Sequence, residues 1–432
     1  MKTLWIKATV LSTVFLGIFA QAQQFPIDNL NPRDQRSVNA FENPKDTVST
    51  FDKLKVRVGG AFALQFQGIK HESNANQNVD ATRLYAIGNN FNLATANLDL
   101  DVALYDGVNL HLRTFLSSRH HNETYVKGGY LQINKLDFIK KDFLGDFMKY
   151  ATIKFGHDEI NYGDAHFRRS DNAFVTNNPF VGNYLMDGFA TMVFAEVYYR
   201  RDGFIGMAGV TNGRLNQTPS GGTSPSVYAK LGYDKQLNED LRVRLTGSFY
   251  NTAQTQRLDF YDGDRAGSRY YFVMEPAKYL SNGVYTNVTG STNFRSGQII
   301  PDFKNQLTSF MINPFVKYKG LEFFGTYENA SGRNFTETDR RTYNQYVGEL
   351  LYRFGKNENL YIGGRYNEVD GKLTTGEKIN VKRYNIGGGW FMTKNILTKV
   401  EYVNQKYSGY PTGSILDGGK FNGYVIEAAI SF

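Results

Sequence analysis

Residues 423–432 read Gly-Tyr-Val-Ile-Glu-Ala-Ala-Ile-Ser-Phe. Tyr424, Ile426, Ala428, Ile430 and Phe432 recur at period two, so an extended strand puts them on one face. Glu427 and Ser431 fall on the other face. The same pattern fills the chain upstream. Ala94, Ala96, Leu98, Leu100, Val102 and Leu104 alternate with Thr95, Asn97, Asp99 and Asp101. Tyr105-Asp106-Gly107 then makes a tight-turn signal, and Val108, Leu110 and Leu112 alternate with Asn109, His111 and Arg113.

Alternating segments of this kind run from Leu54 to Phe432, each about 10–14 residues long, the length that crosses a bilayer when tilted. Their links alternate between short and long. Asp106-Gly107, Arg201-Asp202-Gly203, Lys319-Gly320 and Thr393-Lys394-Asn395 are short; 158–187, 211–225 and 252–307 are long. One rim of short turns and one of long loops is the layout of a transmembrane antiparallel β-barrel. The count comes to about 16 strands, or 18 if the run Arg269-Tyr270-Tyr271-Phe272-Val273-Met274 is half of another hairpin. Either size predicts an aqueous lumen, too wide for side chains to fill. No motif repeats at the spacing a β-propeller requires.

Composition agrees. The 432 residues include 29 Tyr and 33 Phe but 2 Trp, with 43 Gly, 10 Pro and no Cys, so neither a disulfide framework nor a thiolate metal site is expected. Lys2, Lys7, the apolar run 11–20 and Ala20-Gln21-Ala22 form a signal-peptide pattern over residues 1–22. Residues 23–53 are polar, carry Pro26, Pro32 and Pro44, and show no period. They are expected as a periplasmic lead-in or a small plug, ahead of a barrel over 54–432.

The side-chain period fixes which charges face the lumen. Roughly a dozen Lys and Arg point inward against about eight Asp and Glu, which predicts a mild anion preference. The candidate anion-facing residues are Arg113, Lys154, Arg242 and Arg244 on strands. Arg168 and Arg169, in the charged loop with Asp158, Asp164 and Asp171, are the candidates for a constriction. The six histidines offer no catalytic arrangement, and a metal held by His120, His121, His157 and His166 is a weaker reading. No cofactor is expected. The formal charge of +8, or about +6 without residues 1–22, is not gathered into a nucleic-acid-binding cluster.

The ending at Phe432 resembles the C-terminal strand of outer-membrane barrels. The stretch 150–157, the loop with Arg168-Arg169 and the stretch 189–200 resemble the middle of the phosphate-selective porin (O and P type) family. The resemblance implies a 16-stranded outer-membrane porin with loops folded into the channel, often a homotrimer, passing small anionic or hydrophilic solutes. The family's dense arginine ladder is not matched here beyond Arg242 and Arg244, so its phosphate-binding residues are not carried over. The alternative is a non-conducting structural barrel or a partner of export machinery.

Overall fold

The computed structural model describes residues 26–116, 124–170, 174–189, 191–213, 224–255, 258–261, 267–281, 284–287 and 296–432. The signal-peptide pattern, Asp171, His120 and His121 lie outside them. The strands are β1 (Lys55–Glu72), β2 (Asn90–Tyr105), β3 (Val108–Leu116), β4 (Thr124–Ile133), β5 (Ala151–Glu159) and β6 (Thr191–Arg201). They continue as β7 (Phe204–Thr211), β8 (Ser226–Gln236), β9 (Leu241–Thr252), β10 (Lys278–Ser281), β11 (Val284–Asn287) and β12 (Gln306–Tyr318). The last six are β13 (Leu321–Arg333), β14 (Arg341–Phe354), β15 (Leu360–Lys372), β16 (Lys378–Thr393), β17 (Ile396–Ser408) and β18 (Lys420–Ser431).

Sixteen of these close into an antiparallel barrel in which each strand pairs with its neighbour in sequence, except that β9 pairs with β12. The ring closes between β1 and β18, from Ala61 opposite Ser431 to Glu72 opposite Lys420. Phe432 extends the seam: its amide donates to the Gly60 carbonyl at 3.1 Å and its carbonyl accepts from the Gly60 amide at 2.9 Å. The β2–β3 turn needs Gly107, whose φ is +72° and where a Cβ would sit 2.8 Å from Lys135 Cβ.

Burial is inverted relative to a water-soluble domain. Along β14, Gln345, Glu349 and Arg353 are buried, whereas Tyr346, Leu350, Tyr352 and Phe354 are exposed. Leu231 and Ile386 are 71% and 62% exposed, while Asp99 and Arg383 are 0% exposed. Such an apolar exterior is stable against acyl chains and costly in water. Aromatic pairs such as Phe204–Tyr233 and Tyr352–Phe354, with centroids 5.2 and 4.9 Å apart, belt the exterior near the short-turn rim. No helix among the described residues is long and apolar enough to cross a membrane; the crossing elements are strands.

Two sequence expectations are corrected. The run Arg269–Met274 is not a strand. Arg269, Phe272 and Met274 adopt positive φ, and the Gln65 and Gln67 side chains donate to the carbonyls of Arg269 and Tyr271, each at 2.8 Å. The hairpin in that region, β10–β11, forms a separate two-stranded sheet. Nor is the lumen simply water-filled. The loops after β5 and β9 turn inward, and Ile160, Tyr162, Leu185 and Met186 pack with Phe260, Tyr261, Tyr270 and Val273 against wall residues Tyr250, Met311 and Phe324. Loops bearing this much apolar surface bury it rather than leave it in water.

Candidate functional site: loops, segment and cavity inside the barrel

The loop after β5 is anchored through one carboxylate. Gly163, at φ +68°, turns the chain so that the Asp164 amide donates to Asn313 Oδ1 at 2.8 Å. The Asp164 carboxylate accepts from Arg244 Nε and Nη2 at 2.7 and 2.9 Å, Lys230 Nζ at 2.9 Å and Thr246 Oγ1 at 2.8 Å. Burial alone would raise its pKa, but Arg244 and Lys230 hold the carboxyl well below the usual carboxylate range. The loop is thereby pinned to β8, β9 and β12.

Arg168 and Arg169 follow in and after a 3-10 turn, Ala165–Arg168. Both guanidiniums are inside the barrel and fully buried. Arg168 Nη2 meets Glu322 at 2.9 Å and Glu349 at 3.0 Å. Arg169 pairs with Asp187 at 2.7 Å and lies 3.7 Å from the Phe189 ring centroid. Their charges are therefore compensated within the fold. The wall arginines behave alike. Arg353 binds Glu322 and Arg365 binds Glu349, while Arg383 donates to the Gly297 carbonyl of the second inward loop at 2.8 Å. These charges hold the loops in the lumen, since a buried ion is tolerated only when paired and hydrogen-bonded.

Residues 26–53 lie across the short-turn mouth. Arg33 forms ion pairs with Asp99 at 2.7 Å and Asp101 at 3.0 Å on β2. The Gln35 amide donates to the Lys394 carbonyl in the β16–β17 turn at 2.8 Å. Asn39 donates to Glu322 on β13 at 2.8 Å, and Glu42 receives Arg244 Nη1 from β9 at 2.8 Å. Asn43 reaches Gln132 on β4 at 2.9 Å, and Lys45 donates to the Asn134 and Ala151 carbonyls at 2.9 and 2.7 Å. Burial works against ionised Glu42, yet Arg244 and Lys230 bring its pKa down to about 2. Burial, with Arg200 and Lys135 nearby, brings Lys45 down to about 7.

Between this segment and the first loop lies a cavity of about 100 Å³. Asn31, Arg33, Glu42 and Asn43 form its floor, Asn161, His166 and Phe167 its roof, and Arg57, His111, Arg113, Lys154 and Arg200 its wall. Arg113 Nε is held by Asp99 at 2.7 Å, and Arg57 by Asp101 at 2.8 Å. Lys154 makes no ion pair among the described residues; its ammonium sits 3.9 Å from the Tyr130 ring centroid. Arg200 donates to the Asn43 carbonyl and has no carboxylate partner among them. Asp158 and Glu159 also line the cavity.

Arg113 and Lys154 thus reach the cavity. Arg168, Arg169 and Arg244 sit in the packed part of the lumen, and Arg242 is held by Asp234 at 2.7 Å and donates to the Asn39 carbonyl at 2.9 Å. Sequence reasoning missed Arg33, Glu42, His111 and Arg200, and it named Asp164 as a charged neighbour of Arg168 and Arg169 without its role as the anchor. A signal for the loop packing existed: 160–189 and 258–274 are rich in Tyr, Phe, Leu and Val for exposed loops. No group of three or more metal-ligating side chains gathers among the described residues.

The sequence matches no protein-family model and no curated protein. Solved structures do resemble it. In-vitro folded OmpT, an outer membrane protein of Vibrio cholerae, aligns over 90% of this chain and 100% of its own, at 12% identity and a TM-score of 0.53. The chain has the fold of the outer-membrane porins. An anion-selective porin from Comamonas acidovorans aligns over 88% of this chain and 100% of its own, at 12% identity and TM-score 0.52. The outer membrane channel DcaP of Acinetobacter baumannii aligns over 89% and 100%, at 12% identity and TM-score 0.51. At such identity the likeness is one of fold. By their descriptions the second is a porin, the third a channel and OmpT an outer membrane protein.

Proposed function

We propose that this chain is an outer-membrane porin through which small hydrophilic solutes diffuse passively, with a mild preference for anions. The observation that carries this reading is the pairing of an apolar exterior with a charged interior wall that still borders a cavity. A barrel built only as a scaffold has no need of a polar, cavity-lining wall. The anion preference rests on Lys154 and Arg200, cations that face the cavity and make no ion pair among the described residues, with Glu196 near Lys154 and Glu42 near Arg200, whereas Glu42 and Asp101 are each bound by arginine. Asp158 and Glu159 keep the preference mild. The wall arginines Arg353 and Arg365 are committed to carboxylates and Arg383 to Gln405 and loop carbonyls, which supports general diffusion over phosphate selectivity.

The same reading takes residues 1–22 as a cleaved export signal, the short-turn rim as periplasmic and the bilayer of the outer membrane as the surroundings. A homotrimer fits it; one solved form of Vibrio cholerae OmpT is a trimer. Purified protein in a planar bilayer tests the whole. Stepwise conductance is expected, and in a salt gradient Lys154→Glu should move the reversal potential toward cations. A protein that inserts and never conducts returns the non-conducting structural or export-partner barrel.

A further inference from the structure

We propose that residues 26–53 are an autoinhibitory plug that leaves the short-turn mouth as a unit to open the channel. This rests on the porin reading and adds a gate to it. Three observations carry the proposal.

The first is placement. The partners of Arg33, Asn39, Glu42 and Asn43 sit on β2, β13, β9 and β4, and that of Gln35 in the β16–β17 turn. These elements lie all round a sixteen-strand ring, so the segment spans the opening instead of lining one side of it. The partners also lie near the short turns: Glu322 is the second residue of β13, and Asp101 is four residues before the end of β2.

The second is the kind of attachment. The segment adds no strand to the barrel, and its one regular element is a three-residue 3-10 turn, Gln35–Ser37. Side chains make most of its contacts. Its apolar anchors are separate points: Ile27 and Leu30 with Phe51 against Ala103, Val38 against the cluster that holds Leu351 and Phe391, and Phe41 with ring centroids 5.8 Å from Phe167 and 5.3 Å from Phe315. Segments with few buried apolar contacts open at lower free energy than ladder-paired strands.

The third is the surface it covers. Asp99, Asp101, Gln132, Arg242 and Arg244 line the wall behind it. Water and counter-ions can replace those polar contacts when the segment departs, and the apolar surface it uncovers is limited to patches such as Ala103, Phe167 and Phe315. Since Asn31, Arg33 and Glu42 also floor the cavity, departure would join that cavity to solvent at the short-turn mouth.

The chain has no cysteine, so an introduced pair forms a single defined bridge. The test compares, in planar bilayers, the full chain, a variant lacking residues 26–47, and the double variant Gln35→Cys with Lys394→Cys. The deletion should raise single-channel conductance severalfold. The oxidised double variant should hold the low level, and reduction should restore openings. Should the deletion fail to assemble, the oxidised-against-reduced comparison decides alone. Equal currents in both redox states, or a deletion conducting like the full chain, overturn the plug while leaving the porin standing. Silence of every variant overturns the porin reading and the gate with it.

Discussion

Replacing Asp164 by Asn should loosen the first inward loop while leaving the barrel intact. The side chain keeps its shape and loses its charge. Arg244 and Lys230, both with side chains 0% exposed, would lose the carboxylate that each now meets at 2.7 and 2.9 Å. Removing one partner of a buried ion pair costs about 3–5 kcal/mol. Glu42 at 2.8 Å and Asp234 at 3.0 Å still neutralise Arg244, which argues for the lower end. About 3 kcal/mol corresponds to roughly two decades in the equilibrium between seated and open loop. Amide hydrogen exchange reads this directly, with Tyr162 and Phe167, whose amides bond within the loop, as reporters and the β14–β15 ladder as internal reference. Asp146→Asn, at a 98% exposed side chain, is the control. The sign with pH follows from the depressed carboxyl. Its contribution is fully present above the ordinary Asp value of 3.8 and is lost as pH falls below it, so the native loop should loosen in acid and the variant should not. Loop protection unchanged within experimental error, or lost equally from the barrel ladder, would refute the assignment of Asp164 as the anchor.

Three further outcomes are expected. Seating residues 26–53 disfavours the charged form of Lys45, whose pKa falls from 10.5 to about 7, so the seated state gains stability as pH rises from 7 to 10.5 and is flat below 7; channel openings should thin out over that interval, and Lys45→Met should abolish the dependence. Glu42 works in the opposite range: its contribution is complete above 4.5 and fades as pH falls toward 2, so acid should promote openings in the native chain and less so in Glu42→Gln. Deleting Phe432, or replacing it with Asp, removes an exposed aromatic that closes the β1–β18 seam through Gly60, and should lower the yield of heat-resistant barrel in membranes; normal yield would show that the seam does not need it.

The barrel was legible because its governing interactions are local in pattern. A side-chain period of two, interrupted by Asp106-Gly107 or Lys319-Gly320, states which face meets lipid and where the chain reverses. Leu231 and Ile386 point outward and Arg353 and Glu349 inward, as that period requires. The contents of the lumen obey no such period. Arg244 and Glu42 are 202 residues apart, Arg168 and Glu349 are 181 apart, and Arg269 and Glu427 are 158 apart. Nothing in local spacing says which loop residue meets which wall residue. The run Arg269–Met274 has strand composition, yet three left-handed residues, Arg269, Phe272 and Met274, and two glutamine side chains fix it as a loop.

Counting inward charge takes no account of which charges are paired. A lumen charge influences a passing ion only while its field is not cancelled at short range. Arg168, Arg353 and Arg365 share Glu322 and Glu349, and Arg269 and Lys399 share Glu427, so each cluster is compensated to within one positive charge and holds a loop in place. Lys154 and Arg200 differ because they face the cavity from the wall and make no ion pair among the described residues, although Glu196 lies near Lys154 and Glu42 near Arg200. The sequence ranks all of these cations equally, and only the three-dimensional pairing separates those tied into ion-pair clusters from those that line the cavity without an ion pair among the described residues. If that separation holds, Lys154→Glu should shift ion selectivity at constant loop protection, whereas Arg168→Gln should lower loop protection before it changes selectivity. A variant of Arg168 that moves the reversal potential with the loop still protected would show that compensated charges are felt in the conduit after all.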